Sequence, residues 1–272
     1  MNIIFAGTGS AFCMKNYQSN ILIHQNGKYL LFDAGGDVRF ALRDVGLSYK
    51  DISALYISHL HADHAGGLEF LGFCTYFDPS CKEKIQLVGN GDRLRKGWND
   101  TWKGGLESIQ GKVLTLESYF DLNMVRPNGR FYWEGLEFSI VQTVHIMNGY
   151  SIVPSYGLMV GDPKYSKTVF LVGDSQFNPN QLMDFYKIPE LIIQDCEVTP
   201  FKSGVHANYQ ELCTLPEDIK KKMILQHYQD LILDDEALIK KEWVEKAEND
   251  GFWGFARRKM NLQITTEVSF TL

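Results

Sequence analysis

Three histidines and one aspartate lie within six consecutive positions, from His59 to His64. The chain has only seven histidines in 272 residues, so this density favours a shared chemical task over chance. Neutral imidazole and carboxylate are the ligands that suit zinc and similar divalent ions. His59 and His61 can face the same way in an extended loop, while Asp63 and His64 follow on a turn. The run therefore predicts a metal site, and four such close ligands fit two adjacent ions better than one.

This ligand-rich run lies between a predicted strand and a predicted helix. Residues 52–57 are apolar and rich in β-branched and aromatic side chains, which predicts a buried strand. Residues 68–73 follow with a helical pattern. A loop at such a junction can point several side chains at one spot while the flanking elements hold it rigid.

Three more potential ligands each end a predicted strand: His145 in 137–145, Asp174 after 167–172 and His227 in 222–227. A single histidine at a strand end is ordinarily satisfied by one hydrogen bond. None of the three residues is therefore assigned as a ligand alone, and they are candidates only as a series with the run from His59 to His64. His24 lies on a predicted hairpin outside the series and is interpreted as a packing or surface histidine.

The rest of the chain alternates predicted strands and helices, with no linker or internal repeat. An Asn26–Gly27 turn predicts a hairpin of strands 20–24 and 28–33. Further strands are predicted at 1–5, 85–88, 156–160, 190–194 and 262–265, and helices at 37–45, within 91–108, and at 178–186, 207–212 and 234–248. Residues 113–130 are predicted to be irregular. This alternation predicts one α/β domain over residues 1–272.

Composition limits the class of protein. The chain is 44% hydrophobic, enough for a large core, and no apolar run reaches membrane-spanning length. The first residues do not have the pattern of a signal peptide. Five cysteines without framework spacing predict free thiols in the reducing cytoplasm. A net charge of −6 disfavours a large nucleic-acid footprint, and the basic runs 220–222 and 257–259 are interpreted as solvated faces.

The run from Ser58 to Gly67 resembles the His-x-His-x-Asp-His signature of the metallo-β-lactamase fold. The strand-end residues resemble the family's motif series in order and spacing. The resemblance implies an αββα sandwich and a hydrolase with two divalent ions, zinc with manganese as the alternative. One ion would be held by His59, His61 and His145, and the other by Asp63, His64 and His227, with Asp174 bridging them.

The same resemblance implies roles for the ions and for two carboxylates. The ions lower the pKa of bound water to about 7, which supplies a nucleophile at neutral pH. Asp63 also orients that nucleophile as a catalytic residue. Asp33 supports the ligand loop without binding metal. Cys196 and Cys213 are interpreted as structural, because the chemistry needs no protein nucleophile.

Four further segments resemble the tRNase Z branch of this fold: Gly7–Ala11, Leu191–Glu197, Gly204–Ala207 and Leu225–Tyr228. In that branch an acidic residue pairs with a histidine that donates a proton to the leaving oxygen. The resemblance gives these catalytic roles to Asp195 and His206. Gln194-Asp195-Cys196 replaces the branch's His-Glu-Ala, and His227-Tyr228-Gln229 replaces His-Phe-Ser. These departures concern the substrate more than the chemistry.

Members of the branch that grip tRNA usually carry a protruding arm, and only a hairpin-sized stretch lies between His145 and Asp174. The chain resembles the armless cyclic-nucleotide phosphodiesterases of the fold, which include phage anti-Pycsar proteins. We therefore expect a homodimeric phosphodiesterase that acts on a small cyclic nucleotide. Phe252, Trp253 and Phe255 are candidates for stacking on the base or for an ordinary dimer core. The alternatives are a tRNase Z-type nuclease that processes RNA 3′ ends, a non-nucleotide hydrolase of the same fold, and a non-catalytic metal-binding protein.

Overall fold

Strands and helices alternate along the chain, which confirms the predicted α/β class. The structure is a computed structural model and describes residues 1–271. The strands are β1 (Asn2–Gly7), β2 (Asn20–Gln25), β3 (Lys28–Phe32), β4 (Ile52–Ile57), β5 (Ile85–Asn90), β6 (Ser108–Ile109), β7 (Lys112–Val113), β8 (Phe120–Val125), β9 (Arg130–Trp133), β10 (Leu136–Met147), β11 (Ile152–Asp162), β12 (Lys167–Leu171), β13 (Leu191–Asp195), β14 (Met223–Gln226), β15 (Gly254–Phe255), β16 (Asn261–Ile264) and β17 (Val268–Thr271).

The helices are short and mostly follow strands. They are α1 (Val38–Asp44), α2 (Ala62–Ala65), α3 (Leu68–Phe77), α4 (Gly91–Gly97), α5 (Lys103–Leu106), α6 (Leu116–Tyr119), α7 (Pro179–Lys187), α8 (Tyr209–Leu212), α9 (Glu217–Lys220) and α10 (Lys241–Asn249). Single turns of 3₁₀ helix lie at Tyr49–Asp51 and Asp230–Ile232, and a π-helical turn at Trp98–Trp102 joins α4 to α5. No helix in residues 1–271 is both long and apolar enough to span a membrane.

Two mixed sheets form the inner layers of the fold. The first has the order β17-β16-β1-β2-β3-β4-β5-β8, and the second has the order β15-β14-β13-β12-β11-β10-β9. Apolar side chains from both sheets, such as Phe5, Tyr56, Phe138 and Ile193, form one core between them. A second core lies between the first sheet and helices that include α1 and α3, and a third lies between the second sheet and helices that include α7 and α10. This layering confirms the predicted αββα sandwich.

The parallel strands bring the candidate ligands to one region. Strands β3, β4, β5 and β8 run parallel in the first sheet, and β12, β13, β14 and β15 run parallel in the second. Loops after parallel strands emerge at a common end of the sheet. The backbone N–H of Tyr156 donates to the carbonyl of Ser58 at 3.2 Å, so the two sheets also meet directly at this end.

The predicted hairpin between β2 and β3 is confirmed, and its turn residues explain it. Asn26 and Gly27 have φ values of 51° and 78°. A two-residue hairpin turn of this type needs positive φ at both central positions, which asparagine and glycine tolerate best. His24 on β2 stacks on Tyr29 of β3 at 4.6 Å between ring centroids, so its predicted packing role is confirmed.

The turn after β1 is shaped by close backbone contacts. A Cβ atom at Gly7 would collide with the carbonyl oxygen of Gln18, and one at Gly9 would collide with the Cys13 side chain. The turn leads into a loop without a helix, so it lacks the helix N-terminus of a phosphate-binding turn. The Thr8 carbonyl accepts the backbone N–H of His227 at 2.8 Å, and the turn therefore supports a candidate ligand.

Two local predictions are wrong. Residues 113–130 contain α6 and β8, and the polar Asp121 and Asn123 hide the pattern of this edge strand, which pairs with β5. The helix predicted over 234–248 begins only at Lys241, because the Asp234 carboxylate accepts the N–H groups of Glu236 and Leu238 in a turn.

Asp37 immediately precedes α1, but its side chain does not cap the helix. It instead accepts the backbone N–H of Gln18 at 2.9 Å and the Asn20 side-chain amide at 3.3 Å. These bonds tie the start of α1 to the segment that leads into β2.

We expect Tyr56→Phe to destabilise the fold through the contact between the sheets. The buried Tyr56 hydroxyl donates to the carbonyl of Tyr156 at 2.9 Å, and its loss leaves that carbonyl without this donor. The free energy of unfolding in denaturant should fall by about 1–2 kcal/mol. Tyr132→Phe is the control, because Tyr132 is 67% exposed, and it should change stability little. Equal effects of the two substitutions would contradict this account.

Candidate metal centre

The ligand-rich loop after β4 is held by one buried carboxylate. Asp33 accepts the backbone N–H of Ser58 at 2.8 Å and the Ser58 hydroxyl at 2.7 Å. The Nδ1 atom of His64 lies 2.8 Å from the same carboxylate. Burial raises the pKa of Asp33, although His64 and Ser58 oppose that shift. These contacts fix the loop and turn the His64 Nε2 atom away from Asp33, which fits the expected supporting role.

A first cluster joins His59, His61, His145 and Asp174, whose ligand atoms all lie within 4.8 Å of one another. His59 Nε2 and His145 Nε2 lie 3.0 and 3.2 Å from His61 Nδ1. Both Nε2 atoms are 3.7 Å from Asp174 Oδ2. The pairing of β10 with β11 is irregular between Val144 and Ile146, and such a bulge re-aims the side chain at that position, here His145.

A second cluster joins Asp63, His64, His227 and the same Asp174. Asp63 Oδ2 lies 3.1 Å from His64 Nε2 and 3.2 Å from His227 Nε2. His64 Nε2 lies 3.2 Å from Asp174 Oδ2, and His227 Nε2 lies 3.6 Å from Asp174 Oδ1. Asp174 thus presents one oxygen to each of two histidines and belongs to both clusters.

A third group places Asp195 and His206 beside these clusters. His206 Nδ1 lies 2.8 Å from Asp195 Oδ2 and 3.8 Å from Asp174 Oδ2. Asp195 Oδ1 lies 3.3 Å from His227 Nδ1, and the backbone N–H of Ser175 donates to Oδ2. Asp195 therefore contacts two histidines, of which the sequence pattern indicated only His206. The His206 side chain stays 17% exposed, so it can be reached from outside.

The two clusters differ in their electrostatics. Burial lowers the pKa values of His59 and His145, and partial desolvation lowers that of the more exposed His61, which favours the neutral form that binds metal. Burial also acts to lower the pKa of His227, but the Asp174, Asp195 and Asp63 carboxylates outweigh it and raise that pKa to about 10. His64 is likewise raised well above its ordinary pKa by Asp174, Asp63 and Asp33, against burial. The second cluster is therefore a pocket that stabilises positive charge.

Several buried polar atoms at the clusters fit a bound cation. Within the described part of the chain, both Asp174 oxygens and the His64 Nε2 atom make no hydrogen bond of good geometry. Buried polar atoms are normally paired, so unpaired ones at a single point indicate an unfilled chemical role. Neutral imidazole and carboxylate donors that converge in this way have the composition of a zinc site. The residues present thus fit the divalent ions that the fold implies.

All nine predicted site residues lie in these three groups, brought together by six separate segments of the chain. The aromatic tail does not join them. Phe252 and Phe255 are each 5% exposed and pack against Tyr209 in the core of the second sheet, and Trp253 packs against the core between the sheets. The idea that Phe252 or Phe255 offers a free face to a base is wrong, because both rings are buried within their own chain.

Two contacts at the site were not predicted from the sequence. His145 Nδ1 lies 2.9 Å from the carbonyl of Val205, and the Gln176 side-chain amide donates to the carbonyl of His145. A backbone carbonyl carries no sequence signal, so the role of Val205 was not predictable. Gln176 follows Asp174 by two positions, and that proximity was the only available signal.

The chain is similar to a known family over most of its length. A family model described as Anti-Pycsar protein Apyc1 matches residues 1–261. An Anti-Pycsar protein Apyc1 from Paenibacillus harenae is 35% identical over 234 residues, which cover 85% of this chain and 91% of the relative. Both findings show family membership.

Solved structures agree on the fold. The metallo-β-lactamase fold protein YhfI from Bacillus subtilis superposes with a TM-score of 0.70 at 18% identity, covering 96% of this chain and 98% of its own. The short form of human tRNase Z superposes with a TM-score of 0.67 at 18% identity, covering 97% and 99%. The chain therefore belongs to the Anti-Pycsar protein Apyc1 family and is a metal-dependent hydrolase of the metallo-β-lactamase fold.

Proposed function

We propose that the chain hydrolyses the phosphodiester bond of a small cyclic nucleotide to give a nucleoside monophosphate. One observation carries the proposal: Asp174 is shared by two His/Asp clusters, and the His206–Asp195 pair lies next to it. Two ligand sets on one carboxylate suit a pair of ions acting on one phosphate, and a histidine beside them suits a proton donor.

The residues divide into two ligand sets, with zinc proposed as the metal and manganese as the alternative. His59, His61 and His145 would hold one ion, and Asp63, His64 and His227 the other, with Asp174 common to both. Such ions, when bound, activate water at neutral pH and offset the negative charge of the phosphate. The neutral state of His59, His61 and His145 supports the first set, because a protonated ring cannot bind metal.

Asp63 is proposed to orient the attacking water. Burial acts to raise its pKa, but His64 and His227 outweigh that effect and hold the pKa well below its usual range. The group is therefore an acceptor at neutral pH. A carboxylate that accepts a hydrogen bond from the attacking water turns the oxygen lone pair towards phosphorus.

His206 is proposed as the general acid. Burial acts to lower its pKa, but the Asp195 carboxylate outweighs that effect and raises it, so the ring carries the proton that it must donate. Asp195 also sets the orientation of the ring through its contact with Nδ1. An alkoxide is a poor leaving group, so its protonation assists cleavage of a phosphodiester.

The substrate is proposed from the shape of the chain and from its relatives. The stretch between His145 and Asp174 consists of the β10–β11 hairpin and β12, and no protruding arm is found in residues 1–271. The net charge of −6 also disfavours a large RNA footprint. The Anti-Pycsar name of the family agrees with the cyclic-nucleotide resemblance in the sequence. RNA 3′-end processing of the tRNase Z type remains the second candidate, and a non-nucleotide substrate the third.

The proposal also covers the domain organisation, the oligomeric state and the cellular compartment of the enzyme. We propose a single domain over residues 1–272 that works as a homodimer in the cytoplasm, with a small nucleotide as its partner. All five cysteines are free, which agrees with a reducing compartment.

Metal analysis of the purified protein should give about two divalent ions per chain. Asp63→Ala and His227→Ala each remove a ligand of the second set and should lower that content. His24→Ala is the control, because His24 lies on the β2–β3 hairpin, and its metal content should match that of the unmodified chain. A content of one ion that neither ligand substitution changes would refute the dinuclear centre.

His206→Ala should slow hydrolysis of a phosphodiester with an alkoxide leaving group by about 10²- to 10⁴-fold. The effect should be much smaller with p-nitrophenolate, which departs without a proton. Metal content should stay unchanged, and His24→Ala again provides the control. Equal losses on both substrates would indicate that His206 is structural.

One preparation should be tested on cyclic mononucleotides and on a precursor tRNA, with the products separated by chromatography. We expect opening of the cyclic nucleotide ring without cleavage of the RNA. Light scattering during size exclusion should give the mass of a dimer. A monomer that trims the RNA at its 3′ end and opens no cyclic nucleotide would contradict the proposal and favour RNA 3′-end processing of the tRNase Z type.

A further inference from the structure

Glu197 is a buried carboxylate that has no part in the proposed chemistry. It is 3% exposed and comes two residues after Asp195. A carboxylate that is withdrawn from water is unfavourable unless hydrogen bonds replace its hydration. Its partners therefore indicate what it does. The carboxylate accepts the N–H of Ser203, in the eight-residue loop 198–205, and the side-chain amide of Asn208, which follows that loop. The loop ends immediately before His206 and is called the His206 loop here.

The base of the His206 loop is closed by backbone hydrogen bonds to Glu197. The Glu197 N–H donates to the carbonyl of Ala207 at 2.9 Å, and the Glu197 carbonyl accepts the N–H of Tyr209 at 2.8 Å. These bonds join the two ends of the loop without reaching its exposed centre at 201–204. The centre belongs to no strand or helix, so other groups must fix its path.

Two buried side chains hold the centre of the loop from below. Glu197 Oε2 accepts the backbone N–H of Ser203 at 2.9 Å. The amide of Asn208, itself 2% exposed, donates to the carbonyls of Thr199 at 3.1 Å and Phe201 at 3.3 Å. Hydrogen bonds from a backbone N–H to an ionised carboxylate are about twice as strong as neutral ones. The path of the loop therefore depends on Glu197 and Asn208.

The C-terminal end of the loop contacts one candidate metal ligand and leads directly into the candidate proton donor. The carbonyl of Val205 accepts from His145 Nδ1 at 2.9 Å, which leaves Nε2 free to face the first cluster. The next residue is His206, in contact with Asp195. Partners of this kind fix the tautomer and the orientation of a ligating histidine. A shift of the loop would therefore disturb a metal ligand and the proton donor together.

We propose that Glu197, assisted by Asn208, is a positioning residue that holds the His206 loop so that Val205 orients His145 and His206 faces the substrate. The inference rests on the proposed function for the role of His206. Its structural part, the fixing of the loop and of His145, stands independently of the substrate. Glu197 touches neither metal nor substrate in this account and acts only through the loop.

The test compares Glu197→Ala with Glu197→Gln in the metal-loaded protein. Alanine removes the acceptor for Ser203, whereas glutamine keeps an oxygen that can accept the same N–H. Hydrogen exchange of the amides at 199–206 should be faster in Glu197→Ala by on the order of tenfold or more. Metal affinity and turnover should each fall by roughly 10- to 100-fold. Glu197→Gln should restore most of each loss.

The matched control is Glu190→Ala. Glu190 also accepts a backbone N–H, from Thr168 at 2.7 Å, but it precedes β13 whereas Glu197 follows it. Its removal should leave exchange at 199–206 and metal affinity unchanged. This comparison separates a local effect on the His206 loop from general loss of a carboxylate hydrogen bond.

Asn208→Asp provides a second variant that leaves Glu197 in place. Its remaining oxygens can still cap α8 through the N–H of Gln210. The amide donor to Thr199, Phe201 and the Glu197 carboxylate is lost, and a second carboxylate is placed beside Glu197. We expect faster hydrogen exchange confined to the loop. Turnover should fall on the alkoxide substrate and much less on the p-nitrophenyl substrate, as expected for His206→Ala. This variant keeps the test open if Glu197→Ala fails to fold.

Unchanged loop exchange in both Glu197→Ala and Asn208→Asp would overturn the proposal. Faster exchange with unchanged metal affinity and with no selective fall in turnover on the alkoxide substrate would overturn it as well, because the loop would then not position the two histidines. If the protein opens no cyclic nucleotide at all, exchange and metal affinity still report on the loop. Failure of the substrate assignment is therefore distinguishable from failure of this inference.

Discussion

Three carboxylates buried side by side set the main constraint on this structure. Asp63, Asp174 and Asp195 are each at most 5% exposed, and each has an oxygen 3.2–3.6 Å from a ring nitrogen of His227. Like charges in an interior of low dielectric constant repel strongly, so this region is stable only with positive charge beside it. Protons on His64 and His227, or divalent ions, supply that charge. The convergence of ligands from both sheets follows from this requirement.

The scaffold meets the constraint in two ways. Parallel strands deliver the loops to a common end of the fold, which gives approximate positions. Buried polar side chains outside the clusters then fix the loops in detail: Asp33 holds the loop of His59 to His64, and Glu197 holds the loop before His206. A carboxylate below each loop accepts backbone N–H groups that no strand can satisfy. The ligands therefore depend on residues that touch none of the reacting atoms.

Much of the site was predictable because its signals are local. His59 to His64 lie in one run, whose residue types alone indicated a metal site. The candidate ligands at the strand ends, and the pair Asp195 and His206, were indicated by the resemblance of their order and spacing to a family's motif series. The bulge at His145 and the carbonyl of Val205 were not predictable, since each depends on contacts between distant segments. The layers of the fold followed from the alternation of strands and helices. Strand β8 was missed because an edge strand with polar residues has no clear periodicity, and the aromatic tail gave no sign of which core it joins.

Two residues of the site have a backbone conformation that most residues avoid. Asp33 and His227 each have a φ value of 63°, in the left-handed region that glycine and asparagine adopt at lower cost than other residues. Each such residue costs on the order of 1 kcal/mol, which the surrounding contacts must offset. Selection for stability alone would therefore replace both. In lineages that have lost the activity, we expect glycine or asparagine to appear early at these two positions. The residue types at positions 33 and 227 therefore distinguish relatives that retain the activity from relatives that retain only the fold.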